Sequence, residues 1–591
     1  MKKVLSNNFF MFKYIFKYCP SQIFISILSA ILSSTTAVVG ILLQKYVIQS
    51  ISNQSGFAFI VLVLIAFAIL NILILVLNIL FQQLIIPKNA QIFNKAMQTE
   101  IFQKAAELDL ECYEDADFYN KFTIALQQSD TRAIEVLNTF SSLIGSLFGI
   151  SALVTLIGML EPIIIVFIII NVTISFILNT KLAKIQHAYF KERILFNRVA
   201  GYAQRIFYLR ENAKEIRLFN KLGLIITSAF KDSVNSLIVL LKKFSKKTMR
   251  ISGIQAIINI GISSIITIYL AYRVVFNTLS IANFVALQNS SQQLASQISQ
   301  LLGIFPQMYE HSLYIKDFRE FINYKSKINN DENALDIPSC PEIEFRNVSF
   351  TYPKTNEIVL NKINLKIFPG EKVAFVGRNG AGKSTLVKLI TRLYDPNIGE
   401  LLINDLNYQN YKLSSLRDSI GVVFQDYQVL AITIAENILM RPIIDKIADE
   451  KLVIDALKYV GLYNKINSLS NGIYTIITRE FDNSGAIFSG GELQKIVIAR
   501  IYAKKYNILV LDEPSSAFDP ISEKEIFDSM INISTGKTVI LISHRLANVK
   551  NVDKIFYIEQ GCLVEAGSHD ELIELNGKYA EMYNAQISKF F

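Results

Sequence analysis

The chain has 591 residues, 51% of them hydrophobic and 18% charged, which excludes a disordered chain and an ordinary soluble enzyme. Its net charge of +9 is unevenly spread: residues 1–340 hold 31 Lys and Arg against 20 Asp and Glu, and residues 341–591 hold 28 against 30. The basic excess thus belongs to the apolar half, where it reads as loops beside a membrane and not as a nucleic-acid surface.

The four cysteines (Cys19, Cys112, Cys340, Cys562) form no CxxC pair, which argues against a disulfide framework or zinc site and for a reduced, cytosol-facing chain. Six apolar stretches follow along the chain, near residues 18–45, 57–87, 136–160, 162–180, 251–272 and 276–305. About 20 apolar residues cross a bilayer, so the pattern predicts six spanning helices in three hairpins. Lys2, Lys3, Lys13 and Lys17 lie before the first stretch, and Lys242, Lys243, Lys246, Lys247 and Arg250 before the fifth. The positive-inside rule then puts both termini in the cytoplasm. The first stretch is too long for a cleavable signal peptide and lacks its cleavage site. The two expected cytoplasmic loops are about 45 and 70 residues long, beyond what a connection needs. With few Gly or Pro, they read as helices continuing about 30 Å past the bilayer.

Residues 326–340 are polar and turn-rich, as a linker between a transmembrane domain (1–325) and a second domain (341–591) would be. The second domain alternates short β-type runs with helical stretches, an α/β pattern. Its apolar run Val373-Ala374-Phe375-Val376 leads into Gly377-Arg378-Asn379-Gly380-Ala381-Gly382-Lys383-Ser384-Thr385 and then a helix. This is a P-loop in its required strand–loop–helix context. Glycines let the backbone curl so that several N–H groups face one phosphate, and the helix N-terminus adds its dipole. Lys383 is expected to reach the β and γ phosphates and Ser384 to hold Mg2+. A second apolar strand ends in Asp512 and Glu513. Asp512 is expected to hold Mg2+ through water, and Glu513 to polarise the attacking water.

Between these lies Phe488-Ser489-Gly490-Gly491-Glu492-Leu493-Gln494-Lys495, which resembles the LSGGQ signature of ABC transporter ATPases. Other segments agree in order and spacing. Tyr352 is where that family keeps an adenine-stacking aromatic. Gln425 matches the Q-loop, Ser516-Ala517-Phe518-Asp519 resembles the D-loop, and His544 matches the switch histidine. Six spans fused to one such domain are similar to an exporter-type half-transporter, with Lys214-Glu215-Ile216-Arg217-Leu218-Phe219 and Leu108-Asp109-Leu110 resembling its coupling segments. The resemblance implies ATP and Mg2+ as cofactors, with Gln425 among the Mg2+ contacts and sensing the γ-phosphate. It also implies a second half-transporter subunit, a homodimer ahead of a heterodimer, in which Ser489, Gly490, Gly491 and Glu492 of one chain face the nucleotide of the other. No nucleic acid is expected.

Four positions depart from the family pattern: Phe488 for Leu, Glu492 for Gln, Ile501 for Ala and Phe518 for Leu. Glu492 adds a negative charge where a phosphate must dock, and none of the four removes a group that performs chemistry. The expected activity is ATP-driven export of a peptide, drug or lipid-like substrate across a bacterial cytoplasmic membrane. An importer on the same scaffold and a non-pumping regulatory membrane ATPase are the alternatives. The sixth span carries Gln288, Asn289, Ser290, Ser291, Gln292, Gln293, Gln297 and Gln300. These polar groups read equally as a substrate-lining face and as helix–helix hydrogen bonding. No acid lies deep within a span, which argues against a dedicated cation site. His187, His311 and His569 read as surface residues. Thr478-Arg479-Glu480-Phe481 resembles exporters of peptides and antibiotics in Gram-positive bacteria.

Overall fold

The computed structural model of the protein describes residues 2–328, 331, 333–480, 483–504, 506–512, 536–543 and 546–587. It divides into two compact units, Met1–Ala106 with Ala116–Tyr324, and Glu107–Asp115 with Lys325–Phe591.

The first unit is helical, the form in which a backbone satisfies its own hydrogen bonds in hydrocarbon. Helix α1 (Lys2–Tyr18) precedes α2 (Pro20–Ser52), which starts on a proline whose fixed φ suits a first turn. Helix α3 (Phe57–Leu80) passes through one π-helical turn, Phe81–Ile85, into α4 (Ile86–Ala106). A short α5 (Glu111–Glu114) leads to α6 (Ala116–Leu160) and α7 (Ile163–Tyr208). Then follow α8 (Ala213–Leu218), α9 (Asn220–Val275) and α10 (Ile281–Ile322). The 56 residues of α9 extend about 84 Å at 1.5 Å each, so the long loops are indeed helical extensions.

Among the described residues, five stretches are long and apolar enough to cross a membrane: Pro20–Ser52, Phe57–Ala106, Thr131–Leu160, Ile163–Tyr208 and Asn220–Val275. The sixth expected span lies in α10, whose amides and hydroxyls keep it outside that set. Along α3, Ile74 is buried while Phe57, Leu62, Ile65, Ile69 and Ile72 are exposed, a surface that only lipid or another apolar partner can cover. Helix α10 packs along α6 and α2, and α7 along α9. Their shared core includes Ile41, Leu153, Ile157, Ile164, Ile266 and Leu270.

Two side chains close this core at the turn between α6 and α7. Glu161, 6% exposed, meets Arg273 of α9 at 3.0 Å and accepts a hydrogen bond from Tyr269 at 3.2 Å. Two histidines expected at the surface are instead buried. His311 lies in the α6–α10 contact, with its Nε2 3.2 Å from Thr139 Oγ1, and burial holds its pKa below the usual value. His569 pairs through Nδ1 with the Tyr579 hydroxyl at 2.8 Å. In both cases a neighbouring hydroxyl satisfies a ring nitrogen, so the imidazole can leave water.

The strands of the second unit are β1 (Ile343–Thr351), β2 (Ile358–Ile367), β3 (Lys372–Val376), β4 (Ile398–Ile403), β5 (Leu406–Asn407), β6 (Ile420–Val423), β7 (Ile508–Asp512), β8 (Thr538–Ile542), β9 (Lys554–Glu559) and β10 (Cys562–Gly567). They form an antiparallel sheet, β2-β1-β4-β5, and a second sheet ordered β10-β9-β3-β8-β7-β6. The second sheet is parallel from β9 to β6, with β10 antiparallel at its edge. Strand β3 alternates between two cores. Val373 and Phe375 pack toward the antiparallel sheet, α11 (Lys383–Ile390) and α12 (Leu413–Asp418). Ala374 and Val376 pack toward α13 (Ile434–Leu439), α14 (Lys446–Tyr459), α15 (Tyr463–Asn467) and α16 (Gly490–Ala503). A strand covered on both faces is continuously apolar, as its sequence is.

Residues 107–115 also belong to this unit. Asp109 is buried and accepts from the Lys327 N–H at 2.7 Å and from the Ser326 hydroxyl. Lys327 and Lys354 pair with Glu111 and Asp115 at 2.6 and 2.5 Å, and Leu110 packs on the core beneath β1.

The Glu161–Arg273 pair is the buried electrostatic element of the first unit most exposed to a one-sided loss. Glu161→Leu should cost about 3 kcal/mol, read as a lower thermal midpoint of the detergent-solubilised protein. The double variant Glu161→Leu/Arg273→Leu should recover most of that loss.

Candidate nucleotide site

The strands of the parallel sheet set the site's geometry. Asp512 lies opposite Ile542, and Ile542 opposite Phe375, while Val423 lies opposite Leu511. The carboxyl ends of β3, β6 and β7 therefore finish level with one another. Gln425, Asp512 and the loop after Val376 all leave the sheet at that edge, where open α/β sheets bind ligands.

The loop from Gly377 to Gly382 is held by two close approaches. At Gly377 (φ +154°) a Cβ would stand 2.1 Å from the Ile558 carbonyl oxygen, and at Gly382 (φ +99°) one would stand 2.7 Å from Leu360 Cδ2. Only glycine fits either position. Ala381 N–H closes a turn onto Arg378 O at 3.2 Å. Lys383 is buried, and its ammonium donates to Gly377 O and Arg378 O at 2.9 Å each. A cation is thus folded over a loop whose next residues open a helix. Arg378, Asn379, Gly380 and Ser384 are exposed, whereas Ala381 and Thr385 are buried. The Thr385 hydroxyl is engaged by the Tyr352 hydroxyl at 3.0 Å.

Tyr352 is braced on several sides. Phe350 and Tyr394 meet its ring edge-on at 5.0 and 5.5 Å, and Lys388 Nζ lies 4.9 Å above it. Sequence reasoning found Tyr352 by its distance from Lys383 but missed Tyr394 and Lys388, which belong to no motif.

Ser489 is the N-cap of α16 in a capping box. Its hydroxyl accepts from Glu492 N–H at 3.4 Å, and the Glu492 carboxylate accepts from Ser489 N–H at 2.9 Å. Glu492 also meets Lys465 Nζ at 2.5 Å. That ammonium, with the Ser489 N–H, holds the carboxyl below the usual carboxylate range. The negative charge added by the Gln-to-Glu departure is therefore countered locally. No motif pointed to Lys465, which lies 27 residues earlier.

The segment after Gln425 is tied to the same helix. Tyr427 OH donates to Gly490 O at 3.1 Å. Arg500 of α16 donates to Gln428 O at 2.9 Å and to Asn437 O at 2.8 Å. Of the predicted site residues, Glu513, Asp519 and His544 lie outside the described residues, as does the rest of the segment from Ser516 to Phe518. One acidic cluster, Glu342, Glu344 and Asp405, is an ion-pair patch: Lys366 meets Glu342 at 2.7 Å, and Arg346 meets Glu344 and Asp405 at 2.5 and 3.1 Å.

Residues 360–516 match the family model described as ABC transporter. That stretch is the ATPase domain of the ABC transporters. The chain's second unit is an ATP hydrolase domain of that family, and the apolar helices make it a membrane-integral protein. The transporter is 28% identical over 491 residues to the subtilin transport ATP-binding protein SpaT of Bacillus subtilis, covering 82% of this chain and 78% of that one. It is 32% identical over 335 residues to the ATP-dependent lipid A-core flippase of Haemophilus influenzae, covering 57% and 56%. A bacterial Atm1-family ABC exporter solved with ATP bound shares its fold, with a TM-score of 0.79 at 23% identity over 96% of this chain and 98% of that one.

The transporter's phosphate loop depends on the Gly377–Ile558 approach. Gly377→Ala should abolish binding of a fluorescent ATP analogue to the purified protein while leaving its far-UV circular dichroism unchanged.

Proposed function

We propose that the chain is a homodimeric peptide exporter of a bacterial cytoplasmic membrane, with six spanning helices and both termini in the cytoplasm. The observation that carries the substrate class is the extent of the likeness to the subtilin-transport protein. It runs through both units, over 82% of the chain, whereas the flippase match spans 57%.

In this reading the P-loop amides from Gly377 to Thr385 and the Lys383 ammonium hold the phosphates, and Tyr352 stacks on adenine. Ser384, Asp512 and Gln425 offer oxygen donors only, a set suited to Mg2+; that ion supplies charge neutralisation at the phosphates when bound. Glu513 holds the attacking water for in-line displacement at the γ-phosphorus and accepts its proton, while His544 contacts the γ-phosphate. One chain carries a P-loop and a signature on separate elements, so two copies related by a two-fold axis complete two sites. Ser489, Gly490 and Gly491 then contact the γ-phosphate bound by the partner. A negative phosphate docking beside Glu492 is tolerated because Lys465 already balances that carboxylate.

ATP bridging the two copies stabilises the closed dimer, and hydrolysis removes the bridge. Leu218 and Phe219, in the segment that resembles a coupling helix, are 76% and 62% exposed.

The test is Mg-ATPase activity of the purified chain in lipid nanodiscs. Wild type should turn over ATP unaided, and Glu513→Gln should retain ATP binding with turnover reduced at least a hundredfold. Activity that appears only on adding a different subunit would overturn the homodimer. Lys465→Met should raise the KM for ATP about fivefold, equivalent to about 1 kcal/mol. Adding Glu492→Gln to it should restore the KM, because the uncompensated charge is then gone.

A further inference from the structure

Helix α10 divides its polar groups between contacts with other helices and a cavity wall. Gln288 Oε1 lies 3.0 Å from Thr267 Oγ1, and Asn289 donates to Gln44 at 2.5 Å. Gln297 fills the space beside Gly149, where even a Cβ would come within 2.2 Å of its Oε1. These groups join helices. Gln292, Ser296 and Ser299, spaced three and four residues apart, are all exposed. They line a cavity of about 640 Å³ with α7 and α9, whose other polar walls include Asn259 and Ser263. The buried Asn259 Oδ1 accepts no hydrogen bond.

The wall chemistry is specific. Isoleucines at 168, 260, 262, 266 and 268 stand among amides and hydroxyls, and no Asp, Glu, Lys or Arg is among the described residues that line the cavity. Amides and hydroxyls offer both donors and acceptors but no counter-charge. A charged group against this wall would meet no opposite charge, so the wall favours uncharged cargo groups. A peptide backbone matches such a wall, because each residue presents one donor and one acceptor beside an apolar side chain. The volume lies within the range that encloses a drug-sized ligand.

We propose that this cavity between α7, α9 and α10 is a cargo subsite selective for uncharged, apolar peptide segments. Gln292, Ser296 and Asn259 are its specificity-determining residues. The inference rests on the peptide-export reading and adds to it the charge class that the membrane half accepts.

The chain contains no tryptophan, so the emission of a tryptophan-bearing peptide reports binding without protein background. Three capped octapeptides built on Leu, Ser and Gln with one Trp would be titrated: a neutral one, one with two Lys and one with two Asp. The titrations use phosphatidylcholine proteoliposomes, with protein-free vesicles as the blank. Wild type should bind the neutral peptide at least tenfold more tightly than either charged one. Gln292→Glu, and separately Ser296→Asp, should weaken neutral binding at least tenfold and turn the preference to the Lys peptide. A merely structural role would lower all three affinities together without inverting their order. Equal binding of the three peptides, or an order unmoved in both variants, would overturn the subsite and leave peptide export standing. No binding of any peptide to a chain with normal ATPase activity would overturn both.

Discussion

The approach of Gly377 to the Ile558 carbonyl is the contact from which the rest of the nucleotide machinery is measured. It presses the phosphate loop against the end of β9, next to β3, and a methyl group there would push the loop off the sheet. With the loop fixed, α11 begins at Lys383, and its first turn places Thr385 against Tyr352. The register of β3, β8 and β7 then brings Asp512 level with the loop. Catalytic spacing in this unit follows from backbone proximity, and the side chains inherit it.

Charge is managed by opposite means in the two units. In the second unit extra charge is allowed where a partner lies close, as Glu492 has Lys465 and Asp109 has two donors near the linker. In the first, Glu161 is allowed because Arg273 and Tyr269 close over it, and the cavity wall on α10 carries no charge at all. Low dielectric makes both choices forms of one rule: an ionised group is either paired or excluded.

The nucleotide motifs were legible because phosphate chemistry fixes residue identity at short spacing. Gly377, Lys383, Ser489 and Asp512 can be found on a string of letters. Tyr394, Lys388, Lys465 and Tyr427 could not, since each acts through a contact that only the fold creates. His311 and His569 were misread as surface residues because a histidine's burial depends on which hydroxyl meets it, and Thr139 and Tyr579 lie in no pattern with them. The polar face of the sixth expected span was read as two alternatives. The structure assigns Gln288, Asn289 and Gln297 to helix contacts, and Gln292, Ser296 and Ser299 to a cavity wall. Helical spacing does not separate the two roles, since Gln288 and Gln292 lie on one side of α10, and only the neighbouring helices do.

The segment Glu107–Asp115 has a consequence for how this chain can be divided. It is flanked in sequence by α4 and α6, yet it is a folded part of the unit that begins at Lys325. A fragment starting after the linker would lose Leu110 from its core and leave the Lys354 ammonium without its carboxylate. It would contain every nucleotide motif and still be an incomplete body. The two units are interleaved along the chain, so neither can be exchanged for a relative's counterpart at a single junction without carrying nine residues from within the other's sequence.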